Sequence, residues 1–563
     1  MVLNKVAIGA QNFEKIVSRN YFYIDKTAFI KEWWDAGDDV TLITRPRRFG
    51  KTLNMSMLEC FFSNKYAGRG DLFEGLSIWE DEEFREIQGT YPVISLSFAE
   101  IKETNYLSAK MRLYQILVDL YAKHNFLIKE NFLTDTDKDF FQSVSMNMPE
   151  YVAAVALKKL SDNLSRYYGK SVIILLDEYD TPMQEAYVYG YWDELVDFMR
   201  NLFNATFKSN PYLERAVMTG ITRVSKESIF SDFNNPKVVT TTSNEYTTAF
   251  GFTENEVFTA LEKYGYDDKK EEVKWWYDGF VFGKQSDIYN PWSILNFLDT
   301  GRIDTYWANT SSNRLVGKLI QEGDKRIKNT FEALLKGETI RCPINEQIVY
   351  SQLDHDANAI WSLLLASGYL KVLAYEEKTA AGKEVLYDLQ LTNEEVKDMF
   401  YNMVRSWFSA SKQDYNDFVT SMLAGDTESM NEYMNLVSEQ IFSSFDSGKT
   451  ASSKQPERFY HGFVLGLIVD LAGKYMVTSN RESGFGRYDV MIEPVDKQKD
   501  AIILEFKVFQ STKEKNLEET VQSALDQIEA KHYEADLIAR GFRKEQIRKY
   551  GFAFKGKTVL IGD

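Results

Sequence analysis

Arg45-Pro46-Arg47-Arg48-Phe49-Gly50-Lys51-Thr52 contains the residue types needed to hold a phosphate chain. Backbone amides entering a helix at Gly50 would hold a β-phosphate, aided by the helix dipole. Lys51 would reach the β/γ oxygens, and Thr52 would hold Mg²⁺ through its hydroxyl. The P-loop pattern asks for glycine at the first of these eight positions, where Arg45 stands. That costs backbone freedom at the start of the turn and leaves the phosphate-contacting groups in place. Pro46 can stiffen the turn instead. Arg47 and Arg48 could contact phosphates or face another partner.

Further along, Ile173-Ile174-Leu175-Leu176 end at Asp177-Glu178. An apolar strand ending in this pair is the Walker B pattern. Asp177 would orient magnesium and its waters, and Glu178 would polarise the attacking water as general base. Alone, each element also has a plain reading, because Gly-Lys-Thr occurs by chance and buried strands often end in charge. Their order along the chain favours a nucleotide site. Thr219, at the end of another strand in MTGITR, could sense a γ-phosphate. Arg223 just beyond could join it or be an ordinary surface arginine. No guanine-selecting N-K-x-D motif stands in a suitable place, so ATP fits better than GTP.

A second group lies near the C-terminus, in RYDVMIEPV–DKQK–DAIILEFKVF. With DKQK as the turn of a hairpin, Asp489 falls nearly opposite Glu505, and such partners are about 5 Å apart. Glu505 and Lys507 share one face of their strand. Three ionisable groups in an apolar hairpin need compensation. Mg²⁺, with Mn²⁺ as the alternative ion, favours oxygen ligands and could be held by Asp489 and Glu505. Lys507 could then position or activate a water that attacks a phosphodiester. The plain alternative is a solvated Glu–Lys ion pair. Glu457, on the preceding helix, could add a carboxylate, whereas His461 fits packing or hydrogen bonding better. Four scattered histidines and two cysteines cannot complete a structural zinc site.

The elements that must position these residues alternate over the first 250 or so positions. The predicted strands are 40–44, 91–98, 171–177, 215–221 and 237–242, mostly separated by helical segments, which implies a largely parallel α/β sheet. Thr253 with Glu256 has capping-box spacing at the start of a helix. Helical sequence follows, interrupted by WWYDGFVFG and the turn YNP. Next, SGYLKVLAYEE and EVLYDLQL flank a turn near Ala381 and Gly382, and Thr392 with Glu395 predicts a second capping box. Helices, a hairpin and a further helix resemble a winged helix. Its acidic character suits a spacer better than a duplex-binding surface.

At 563 residues the chain exceeds one core. Two cysteines exclude a disulfide scaffold and fit a reducing compartment. The N-terminal stretch lacks a signal-peptide pattern and no apolar run approaches a bilayer span, so the expected location is cytoplasmic, without a membrane partner. A net charge of -17 argues against chain-wide adhesion to nucleic acid, but not against one local basic groove.

The stretches YFYIDKTAFI, LITRPRRFGKTL, LLDEYDTP, TGITRVSKESIFSDFNN and FGFTENEV, in this order, closely resemble the bacterial AAA-ATPase-like family. That resemblance implies that R-P-R-R-F-G-K is the family's usual loop. It also implies a C-terminal domain of the PD-(D/E)XK nuclease superfamily, whose active site the Asp489…Glu505-x-Lys507 arrangement looks like. Gln527 resembles the glutamine that several such nucleases place near the scissile phosphate; otherwise it belongs to a polar helix face. The expected fold is α/β multidomain. An AAA/ASCE-like P-loop NTPase core with a parallel sheet spans 1–265, and a helical lid spans 266–345. A winged-helix-like or helical connector spans 346–450, and an α/β restriction-endonuclease-like domain spans 451–563. The leading functional reading is an ATPase coupled to a metal-dependent nuclease acting on DNA or RNA, with homo-oligomerisation open. The alternatives are a nucleotide-gated switch whose nuclease fold only binds nucleic acid, and a sensor ATPase for a protein or small ligand.

Overall fold

The computed structural model describes residues 3–130, 132–224, 236–308, 314–323, 325–348, 353, 356–376, 385–407, 412–445, 455–479, 482–483, 486–487 and 490–563. The chain forms two compact units. One comprises 1–315 and 339–397, and the other comprises 316–338 and 398–563. The segment read as a connector, 346–450, is thus divided between them after Lys397.

In the first unit, β1 (Val40–Thr44), β2 (Val93–Ser97), β3 (Val172–Asp177), β4 (Leu213–Gly220) and β6 (Pro236–Val239) form one parallel sheet in the order β2-β3-β4-β1-β6. The short β5 (Arg223–Val224) pairs with β11 (Gln347–Ile348). β1 and β3 are buried along their whole length, as expected of strands covered on both faces. The helix Lys51–Phe62 leaves β1 directly, whereas the helix Glu150–Tyr168 delivers the chain into β3. β6 ends before the predicted 237–242, because a turn begins at Thr240. There Ser243 N donates to Thr240 O and Ser243 Oγ accepts from Thr240 N.

A smaller antiparallel sheet follows, ordered β7 (Phe252–Thr253), β9 (Gln285–Tyr289) and β8 (Phe280–Phe282). The Thr253–Glu256 capping box is present and starts the helix Glu254–Tyr264. That helix packs Val257 and Leu261 with Tyr277, Tyr289 and Phe297 in one apolar cluster. Next come β10 (Ile340–Pro343), the helix Ala357–Ala366 and the hairpin of β12 (Leu370–Tyr375) and β13 (Leu386–Leu391). β10, β13 and β12 form a three-stranded antiparallel sheet in that order. Ala381 and Gly382, the expected turn, lie outside the described residues.

The second expected capping box does not form. Asn393 Oδ1 accepts from Val396 N and takes the capping role. Thr392 Oγ1 donates to Gly368 O instead. Glu395 is fully buried and accepts from Trp307 N at 2.6 Å and from Ser293 Oγ at 2.9 Å. Tertiary donors thus replace the local partner that the spacing suggested. Burial pushes the Glu395 carboxyl up from 4.5 to about 7, against the opposing pull of its donors. A raised carboxyl binds more protons folded than unfolded. Its contribution is complete below about pH 4.5 and is lost as pH rises through about 7. Glu395→Gln should therefore flatten the pH dependence of unfolding between pH 4.5 and 8. The difference is on the order of 3 kcal/mol, read from melts of both proteins across that range.

The second unit is built on a mixed sheet ordered β14 (Tyr475–Ser479), β17 (Val490–Pro494), β18 (Ala501–Val508), β19 (Ile547–Lys555) and β20 (Thr558–Gly562). A separate ribbon pairs β15 (Glu482–Ser483) with β16 (Gly486–Arg487). β17 and β18 form the expected hairpin, with Lys499 N donating to Asp496 O inside DKQK. β18 and β19 run parallel, and the helix Leu517–Ala530 makes the crossover. Met491, Ile503, Ile528 and Tyr533 belong to the apolar core beneath it. Among the described residues, no helix is long and apolar enough to cross a membrane.

Candidate functional site

β1 and β3 are separated in the sheet by β4, so three strand ends converge at one edge. Gly50 follows β1 with φ 79°, in the left-handed region that glycine reaches without strain, and starts the helix Lys51–Phe62. Thr52 Oγ1 donates to Asp177 Oδ2 at 2.7 Å across 125 positions of sequence. The Thr219 hydroxyl, at the end of β4, donates to the other oxygen of Asp177. Burial raises the Asp177 carboxyl, while these two hydroxyl donors lower it. A hydroxyl and a carboxylate side by side form an oxygen donor set suited to a hard cation such as Mg²⁺.

Lys51 is buried and donates to Arg45 O at 3.0 Å and Pro46 O at 2.8 Å. Burial lowers its pKa, opposed by the charges of Glu178, Asp177 and Asp180. Glu178 has φ 51°, a left-handed conformation that costs a non-glycine residue about 1 kcal/mol. Its carboxylate accepts from Thr181 Oγ1 at 3.2 Å, and the residue lines a cavity of about 310 Å³. Arg47, Arg48, Phe49, Gly50, Lys51 and Thr52 line the same cavity. Phe49 turns its ring to Phe280 and Phe282.

Arg45 and Pro46 do not line it. The Arg45 side chain, expected near the nucleotide, is directed into the interior. Its guanidinium donates to Thr240 O at 2.6 Å and Glu245 O at 3.2 Å, and lies 4.5 Å from the Phe282 ring centre. Burial lowers its pKa to about 9, so it stays charged at neutral pH. The arginine in the glycine position thus ties the start of the loop to the 240–246 turn. Arg223 is half-buried on β5 and does not line the cavity either.

Three residues around this edge carried no chemical signal in the sequence. Asp180 is buried, and its Oδ2 accepts from Ile221 N, Thr222 N and Thr222 Oγ1, tying the exit of β3 to that of β4. Its place two residues after Asp177-Glu178 could have drawn attention. Lys26 lines the cavity while donating to Thr248 O and to Glu256. Trp292 also lines it, from the turn after Asn290. Lys26 precedes the loop on a separate segment and Trp292 lies far beyond it, so motif spacing could not find them. A separate carboxylate group, Glu254–Asp278–Asp287, is ion-paired throughout by Lys274 and is read as structural.

In the second unit, Glu505 and Lys507 project from the same face of β18, towards the helix Leu517–Ala530. Glu505 is buried, and Gln527 Nε2 donates to its Oε1 and, at 3.1 Å, to Tyr533 Oη. Lys507 Nζ donates to Ser523 Oγ at 3.0 Å. Gly551 pairs with Glu505 on β19, and a Cβ there would meet Val521 O at 2.8 Å. A glycine is what lets the crossover helix approach this closely. The pairing Val490↔Leu504 and Met491↔Ile503 is described, but Asp489 lies outside the described residues. So do the side chains of Glu457 and His461. The described part of the group is therefore Glu505, Lys507 and Gln527, of which Glu505 is the carboxylate.

Strand order, the Gly-Lys-Thr turn after β1 and Asp-Glu at the end of β3 define the first unit's core as a P-loop NTPase fold. The hairpin with Glu-x-Lys and the parallel crossover define the second as nuclease-like. Residues 7–230 match the family described as "Predicted AAA-ATPase", and residues 455–563 match the PD-(D/E)XK nuclease superfamily. The chain thus joins an AAA-ATPase-like domain to a PD-(D/E)XK nuclease superfamily domain. It is similar to the "Uncharacterized protein in vnfD 5'region" of Azotobacter chroococcum mcd 1. The two are 25% identical over 403 residues, or 70% of this chain and 69% of the relative.

Proposed function

We propose that this protein hydrolyses ATP and uses a metal-dependent nuclease centre on DNA or RNA. The observation that carries the ATPase reading is the contact of Thr52 with Asp177, joined by Thr219 and flanked by Lys51 and Glu178. In this reading the amides after Gly50 and the Lys51 ammonium hold the β/γ-phosphates. Thr52 and Asp177 would hold Mg²⁺, which would supply positive charge beside the phosphates. Glu178 accepts the proton of the attacking water. Thr219, buried and donating to Asp177, would keep that carboxylate oriented.

The nuclease reading rests on Glu505 and Lys507, which share one face of β18 and are met there by Gln527 and Ser523 from the crossover helix. Glu505, with Asp489, would hold Mg²⁺ or Mn²⁺, which supplies Lewis acidity at the phosphodiester. Lys507 would position the water or stabilise developing charge, and Gln527 would orient Glu505. ATP turnover would govern how this domain is presented to nucleic acid. The test combines phosphate release with cleavage of labelled single- and double-stranded DNA and RNA, with Mg²⁺ or Mn²⁺, with and without ATP. ATP hydrolysis and metal-dependent cleavage are expected together. If metal binds and nothing is cut, a nucleotide-gated binding switch replaces the nuclease. If there is neither cleavage nor nucleic-acid binding, a sensor ATPase remains.

A further inference from the structure

We propose, building on the reading of this cavity as an ATP site, that Trp292 is the platform on which the nucleotide base stacks. The Arg48 guanidinium exchanges from that indole to the phosphates when the base arrives. The cavity lining is of two kinds. Gly50, Lys51 and Thr52 suit an anionic chain, whereas Phe22, Ile24 and Trp292 suit a flat apolar ring. A purine nucleoside triphosphate carries both chemistries in one molecule.

Trp292 is held in fixed register with the phosphate turn. Asn290 Oδ1 caps the helix Pro291–Thr300 by accepting from Trp292 N at 2.9 Å, and Asn290 Nδ2 donates to Arg47 O at 3.2 Å. Trp307 Nε1 donates to the same Arg47 carbonyl at 2.9 Å. The YNP turn thus couples an aromatic platform to the middle of the loop. The platform is half-buried, and the Arg48 guanidinium lies 4.3 Å from the ring centre. Arg48 is exposed, with φ 64°, on the loop itself. An exposed cation–π contact is weak, whereas stacking of a base on an aromatic ring is stronger. A guanidinium released beside phosphates gains charge-assisted, bidentate partners. Both halves of the exchange therefore run in favour of the nucleotide.

The experiment measures equilibrium binding to the full chain by calorimetry, with Mg²⁺, for three ligands: ATP, inorganic tripolyphosphate and adenosine. Trp292→Ala should weaken ATP about tenfold, the scale of one lost base stack, and leave tripolyphosphate equal or tighter, because Arg48 no longer leaves the indole to reach it. Trp292→Phe should restore part of the loss, and keeps an aromatic core should the alanine variant fold poorly. Arg48→Ala should weaken tripolyphosphate and leave adenosine equal or tighter, because the indole is no longer shared. Equal ATP affinity in wild type and Trp292→Ala would overturn the proposal, as would equal losses for ATP and tripolyphosphate. If Lys51→Ala binds ATP as well as wild type does, the nucleotide reading itself falls, and this proposal with it.

Discussion

Lys51→Ala should lower ATP turnover by about a hundredfold to a thousandfold, and ATP affinity with it. The phosphates lose the buried Lys51 ammonium, which the structure holds against the carbonyls of Arg45 and Pro46. Glu178→Gln should separate the two effects. It keeps the shape of the cavity wall and the Asp177 carboxylate, so binding persists. The water loses its proton acceptor, and turnover should fall by about 10²–10⁴. Phosphate release read beside equilibrium ATP binding distinguishes the variants. Unchanged turnover in both would remove the assignment of this site. Lys51 is buried, so a thermal melt of its variant must accompany the assay to exclude simple unfolding.

The second large effect concerns the other unit. Asp489→Ala and Glu505→Ala should each eliminate metal-dependent cleavage, because each removes an oxygen ligand. Lys507→Ala should slow cleavage with less change in metal affinity, since its role is the water and the developing charge. ATP hydrolysis should survive all three changes, because the phosphate loop belongs to a different compact unit. Glu505 is buried and receives the Gln527 amide, so its loss could also loosen the hairpin. Glu505→Gln, nearly the same size, controls for that: cleavage should still be lost while the melt stays close to wild type.

Much of the fold was legible because strands buried on both faces announce themselves. VTLIT and SVIILLD read most simply as such strands, and the structure buries Val40–Thr44 and Val172–Asp177 throughout. The first capping box was legible for a similar reason, since Thr253 and Glu256 need only each other. Thr392 and Glu395 have the same spacing, but Glu395 found Ser293 and Trp307, which lie roughly a hundred positions away. Local spacing cannot rank a local partner against a distant one that burial makes stronger. Arg45 teaches the same lesson. Sequence placed it in the loop, and only the folded chain brings the carbonyls of residues 240–246 to its guanidinium. Trp292 and Lys26 were hidden because a cavity wall is assembled from remote segments, and neither residue type carries chemistry unless its neighbours are known.

The most direct test of the account is a single reaction containing the wild-type protein, ATP, Mg²⁺ or Mn²⁺ and labelled DNA or RNA, with phosphate release and strand cleavage followed together. The account predicts both, with hydrolysis lost in Glu178→Gln and cleavage lost in Glu505→Gln. No phosphate release, together with no cleavage under any nucleotide condition and no metal binding that depends on Asp489 and Glu505, would contradict it.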